Sequence, residues 1–120
     1  FPLPPQNAVA YGYQENLTPF YAHSDIAVST EIAATGLSIK NYTALANGLA
    51  LVTNRLGARG WEQGSNELFL EAETPEEFTD QIEKLVNSRQ IYSRICMEAV
   101  QFTERSYIEN YGRLSRILDF

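Results

Sequence analysis

Cysteine and methionine are nearly absent from this sequence of 120 residues, which contains one of each. A single cysteine, Cys96, excludes a disulfide framework and a multi-cysteine metal site, and it favours a reducing, cytoplasmic compartment. Basic residues are also few, since 9 Lys and Arg stand against 15 Asp and Glu and the net charge is −6. Because nucleic-acid binding needs clustered cations to neutralise phosphates, no nucleic acid is expected as a partner.

Long apolar runs are missing as well. Stretches such as LALV are far shorter than the roughly 20 residues that span a bilayer, so no membrane span is predicted. Proline is dense at the start, where FPLPPQ predicts an extended linker or tail over residues 1–7. The sequence begins at Phe1 and not at a methionine, so we expect the chain to have been cut from something longer.

The rest of the composition is that of one globular domain, placed at residues 8–120, with 44% hydrophobic and 20% charged residues. Apolar segments alternate with helical patterns. Strands are predicted at residues 8–13, 25–30, 49–53 and 67–72, and the second should be buried on both faces because its apolar run is continuous. This alternation predicts an α/β fold in three layers, with a parallel half-sheet of about four strands and C-terminal helices.

Helix signals occur between and after these strands. Thr18 is predicted to cap a short helix, and Ser38 a helix over residues 38–47 that Gly48 ends. TPEEF predicts a third helix capped by Thr74, which Asn87 and Ser88 end. Two separate helices should follow, one at about residues 89–105 and one from about residue 107 to the end.

Five segments, in this order, resemble the C-terminal domain of the B-type glycosyltransferases, the two-domain retaining enzymes often called group 1 or family 4. LTPFYAHSD resembles the family's L-x-x-x-Y-x-x-x-D helix, and GLSIKNYTALANGLALV its G-[IVL]-x-x-K-x-x-E-A-L-A-x-G-x-P-V-V segment. GARG is similar to its GAEG, residues 70–88 to its D-x-P-E-E-F helix, and residues 102–118 to its closing helix. The resemblance covers only the second half of that Rossmann-like domain of the GT-B fold.

This resemblance implies the donor side of an enzyme that moves a sugar from a nucleotide-diphosphate sugar to an acceptor. It implies no cofactor beyond that substrate and no metal. The rest of the enzyme would come from a missing N-terminal domain or from another chain that completes the sheet, and this portion alone is not expected to be active. Peripheral membrane association of the full enzyme is compatible with the resemblance.

A nucleotide-sugar site is predicted after the second strand, because open parallel sheets bind ligands beyond the carboxyl ends of their strands. Gly36, Leu37 and Ser38 would present amides to the diphosphate at the start of a helix. Lys40 would add a positive charge, and Glu31 would face the donor or the acceptor. The plainer alternatives are that Gly36 simply makes a turn, that Lys40 is a surface lysine and that Glu31 is a solvated loop residue.

Two positions depart from the family pattern. Its two glutamates, eight positions apart, correspond by register to Thr35 and Thr43, and the second glutamate binds the ribose hydroxyls of the donor. A threonine lacks the charge that roughly doubles the strength of such a bond. A second reading therefore stays open, that of a degenerate, non-catalytic Rossmann-like binding or assembly module.

Three points remain open at this level. A flavodoxin-like regulatory domain is a third reading, although only Asp25 and Glu31 supply acidic residues near strand ends. Trp61 could stack on a sugar or base, or it could plug the edge of the sheet. No residue is assigned a catalytic role.

Overall fold

The computed structural model describes residues 6–33 and 36–118. A parallel sheet has the strand order β1-β2-β3, with β1 at Ile26–Ser29, β2 at Ala50–Thr53 and β3 at Leu70–Glu71. The helices are α1 at Thr18–Ala22, α2 at Ile39–Ala46, α3 at Pro75–Asn87 and α4 at Arg89–Leu118, and short 3-10 turns lie at Leu56–Ala58 and Glu62–Gly64. The predicted parallel α/β fold is confirmed.

The central strand β2 lies in the middle of the core. Its side chains alternate between the two faces of the sheet, as the pleat of a strand requires. Leu51 packs on one face with Leu45 of α2 and Ala99 of α4. Ala50 and Val52 pack on the other face, in a cluster that includes Leu85 of α3 and Ile95 of α4. Helices therefore cover both faces of β2, which gives the expected three layers.

The strand predicted at residues 8–13 is not formed, so the described residues contain three strands where about four were predicted. The segment is exposed, and its Tyr11 ring instead contacts the Phe20 ring of α1 edge-on, with centroids 5.0 Å apart. A strand is held by the N–H and C=O groups of a neighbour, and residues 8–13 find no such neighbour among the described residues. For the same reason β1 is an edge strand, and its Val28 is 53% exposed where burial on both faces was expected.

Of the three predicted N-cap residues, two cap their helices in the structure. Ser38 Oγ accepts the Asn41 N–H of α2 at 3.4 Å, and Thr74 Oγ1 accepts the Glu77 N–H of α3 at 3.1 Å. Thr18 does not cap α1, because that position is occupied by Leu17, which offers no side-chain acceptor.

The two helices predicted at the C-terminal end are one helix, α4, of 30 residues. No proline or glycine interrupts it before Gly112, so the boundary predicted near residue 105 contains no residue that breaks a helix. The break before it was predicted correctly, since Ser88 accepts the Ile91 N–H through Oγ at 3.2 Å and begins the new helix. Within the described ranges, no helix combines the length and apolar character that crossing a membrane requires.

Candidate functional site

The carboxyl ends of β1 and β2 lie side by side, because the two strands are parallel and Ser29 pairs with Thr53 in register. The segments that leave these two strands therefore meet at one edge of the sheet. One runs from β1 into the first turn of α2 and carries every predicted site residue except Thr43. The other runs from β2 into the GARG turn. This edge is where open α/β sheets bind their ligands.

Three of the predicted residues come together at this edge. Lys40 Nζ lies 2.9 Å from Glu31 Oε1, and Ser38 Oγ donates to the same oxygen at 3.5 Å. The Lys40 side chain is 56% exposed and the Glu31 side chain 23% exposed. A carboxylate is thus held by a lysine and a hydroxyl at the first turn of α2.

The first turn of α2 also offers backbone donors. A helix leaves its first N–H groups without intrahelical acceptors, and here only the Asn41 N–H is taken up by the Ser38 cap. The amides of Ile39 and Lys40 remain at the positive end of the helix dipole. Gly36 is exposed, and a Cβ added to it would meet no heavy atom within 4 Å. Among the described residues, none therefore blocks the approach to this turn from solvent at Gly36.

The Leu37 side chain packs toward the turn after β2. It lies over Gly60, where an added Cβ would collide with it. Gly60 has φ +96°, a conformation that glycine adopts without strain. The Leu37 side chain thus connects the segment before α2 to the turn after β2, and its backbone amide is the only part of it that the predicted diphosphate contact requires.

Thr43 does not join this group. Its Oγ1 donates to the Ile39 carbonyl of its own helix at 2.8 Å. The residue lines a cavity of about 350 Å³ beside α1, together with Tyr21 and with Lys40 of the group. Thr35, the other position where the family often has a glutamate, lies outside the described residues, as do residues 1–5 of the predicted tail.

A buried polar network lies directly beneath the site, and the sequence had not singled out its residues. Asn41 of α2, 2% exposed, is at its centre. It accepts the Ser29 hydroxyl at 2.7 Å, and its Nδ2 donates to Thr53 Oγ1 at 3.3 Å and to the Gly57 carbonyl at 3.0 Å. An asparagine inside a helix has low helix propensity, so its occurrence there was the one available signal.

Asn54, which follows β2, connects this network to Glu31. Its Nδ2 donates to the Glu31 carbonyl at 2.7 Å, and its Oδ1 accepts the Glu31 N–H at 3.2 Å. The same Oδ1 accepts the Gly57 N–H at 3.0 Å. A buried amide therefore pairs with the Glu31 backbone in both directions, as a neighbouring strand would, and it positions the segment that carries the carboxylate.

The first glycine of GARG is required by this network. A Cβ at Gly57 would collide with Thr53 Oγ1 and lie 2.9 Å from Asn41 Nδ2. The turn after β2 can approach the network only because position 57 has no side chain.

Trp61 belongs to the core. It is 5% exposed and packs edge-on against Phe69, with ring centroids 5.3 Å apart. The ring is therefore not available to stack on a sugar or a base, and it packs in the core cluster that contains Leu51.

Shifted pKa values also occur at ionisable groups outside this site. A hydrogen bond from the Gly60 N–H, 2.9 Å long, lowers the pKa of the exposed Glu62 carboxyl. Burial raises the pKa of the Cys96 thiol, which suits a packing residue better than a nucleophile. Among the described residues, no three His, Cys, Asp or Glu side chains are grouped so that they could hold a metal ion.

The sequence matches a known protein family over most of its length. A family model described as glycosyl transferases group 1 matches residues 4–88. The matched part contains all three strands, the turn at Gly57 and every predicted site residue. No curated protein gives a significant match to the chain.

Proposed function

The chain belongs to the group 1 glycosyl transferases, and we propose that it forms the donor side of such an enzyme. In this proposal the segment between β1 and α2 binds the diphosphate of a nucleotide-diphosphate sugar, whose sugar then passes to an acceptor. The observation that carries the proposal is the grouping of Ser38 and Lys40 around a carboxylate at the carboxyl edge of the sheet. Carboxylate and phosphate oxygens are held by the same donors.

In this proposal, backbone and side-chain donors share the binding of the diphosphate. The backbone amides of Gly36, Leu37 and Ser38 would face the diphosphate, with the Ser38 hydroxyl and the Lys40 ammonium beside them. Catalysis would then consist of positioning the donor and stabilising the negative charge of the departing diphosphate. No cofactor is needed for such a transfer.

The proposal also includes a partner for the unpaired edge of the sheet. The outer edge of β1 has no strand paired to it within residues 6–33 and 36–118. An unpaired edge with the sequence IAVS contains no proline or charge that would prevent pairing. A missing N-terminal domain, or another chain, would complete the sheet here, and transfer activity requires it.

A degenerate binding or assembly module is the second candidate function. It is favoured by Thr43, whose hydroxyl is already bonded to the Ile39 carbonyl and would have to leave it to reach a ribose. It is also favoured by the ion pair that neutralises Lys40. In that reading the fold is kept and donor binding is lost.

Titration calorimetry of the chain with UDP, GDP and their sugars separates the two candidates. We expect saturable binding of at least one nucleotide diphosphate, and a loss of about five- to tenfold in affinity in Lys40→Gln because a charge-assisted contact is removed. Lys84→Gln, at an exposed lysine on α3, is the matched control and should bind as the unchanged chain does. Absence of binding at millimolar ligand, with the fold intact by circular dichroism, would reject the donor-side proposal.

A further inference from the structure

We infer that Glu31 is an internal competitor for the anion position of the proposed site: its carboxylate occupies the donors on Ser38 and Lys40, and a diphosphate must displace it. This inference rests on the proposed function of the same corner and states how binding there is regulated. It assigns to Glu31 a role opposite to that of a ligand-binding residue.

The geometry of the carboxylate carries the inference. A single oxygen, Glu31 Oε1, accepts from both Lys40 Nζ at 2.9 Å and Ser38 Oγ at 3.5 Å. Thr43, the other site residue with a side-chain donor in the described part of the chain, gives its hydroxyl to the Ile39 carbonyl instead. A phosphate oxygen that accepted from Lys40 Nζ and Ser38 Oγ together would therefore lie close to the present position of the carboxylate oxygen.

The backbone of Glu31 is held in place, while its partly exposed side chain can rotate away from Lys40 and Ser38. Asn54 is 7% exposed and bonds to both the N–H and the carbonyl of Glu31, at 3.2 Å and 2.7 Å. Displacement therefore needs only rotation of the Glu31 side chain, which is 23% exposed. Lys40, 56% exposed, can follow an incoming anion. The exchange is local and leaves the buried network intact.

The size of the effect follows from the exposure of the pair. Exposed ion pairs change an equilibrium constant by a factor of up to about five, and a displaced carboxylate that stays nearby also repels the bound anion. We therefore expect Glu31→Gln to bind a diphosphate about five- to tenfold more tightly than the unchanged chain. Glutamine has the same length and still accepts hydrogen bonds, but it carries no charge.

The experiment is a calorimetric titration with inorganic pyrophosphate, and in parallel with UDP, of the unchanged chain, Glu31→Gln and Glu83→Gln. The last is the matched control, because Glu83 is an exposed glutamate on α3 and its replacement changes the net charge equally. Each titration is run at low and at high salt. The gain in Glu31→Gln should shrink at high salt, where charges on exposed groups are screened.

The outcomes separate the inference from the function on which it rests. Tighter binding in Glu31→Gln alone, with Glu83→Gln unchanged, supports the inference. Equal or weaker binding in Glu31→Gln, or an equal gain in both variants, overturns it while the donor-side function stands. Absence of pyrophosphate and UDP binding in all three proteins overturns both.

Discussion

Replacement of Gly57 by alanine tests how closely the turn after β2 packs against the buried polar network of Asn41 and Asn54. Gly57 donates its N–H to Asn54 Oδ1 and accepts from Asn41 Nδ2 through its carbonyl. Its φ is not in the left-handed region, so alanine is not strained there by the backbone alone. The new methyl group would collide with Thr53 Oγ1 and lie 2.9 Å from Asn41 Nδ2, so the change isolates a steric effect.

The expected loss of stability follows from the side chains that would have to move. Thr53 is 0% exposed and Asn41 2% exposed, so neither side chain has solvent into which it can turn. Overpacking a core costs about 1–3 kcal/mol, and each buried polar group that loses its partner costs about 1–3 kcal/mol more. Since at least one of the bonds to Asn41 must break, we expect the free energy of unfolding to fall by about 3 kcal/mol.

Urea unfolding followed by tryptophan fluorescence measures this loss. The chain has a single tryptophan, Trp61, which is 5% exposed and reports on the core. With an m-value of about 2 kcal/mol/M, the midpoint should fall by about 1.5 M. Gly112→Ala is the matched control, because a Cβ there meets no atom within 4 Å and alanine favours a helix. A Gly57→Ala midpoint within about 0.3 M of the unchanged chain would refute the reasoning.

Two further predictions concern caps and charge. Thr74→Ala removes the acceptor of the Glu77 N–H and should lower the free energy of unfolding by about 1 kcal/mol, measured in urea. Thr79→Ala removes only an exposed hydroxyl bonded to its own helix, and an equal loss there would contradict the capping explanation. The Gly60 N–H holds the pKa of Glu62 below its ordinary value of 4.5, so this contact should stabilise the fold above about pH 4.5 and cease to do so as the pH falls through the lower, folded value. Urea midpoints of the unchanged chain and Glu62→Gln should therefore differ at pH 7 and converge toward pH 3, and a difference that is constant across that range would exclude the effect.

Much of the fold could be predicted from local signals. The parallel α/β arrangement follows from strands alternating with helices, and the starts of α2 and α3 follow from Ser38 and Thr74. These signals are legible because a cap or a helix-ending glycine acts on groups within four residues along the chain. The grouping of Ser38 with Lys40 was predictable for the same reason, since both belong to one helical turn.

The sequence by itself determined the class of the fold, the ends of α2 and α3 and the family to which the chain belongs, because these depend on neighbours along the chain. Only the tertiary structure decided that residues 8–13 form no strand, that Thr43 bonds within its own helix, and that Asn54 and Asn41 connect the segment of Glu31 to the core. Each of these depends on which groups meet across the sheet. A backbone segment becomes a strand only beside a partner, and a buried amide is satisfied only by donors and acceptors that other elements bring to it.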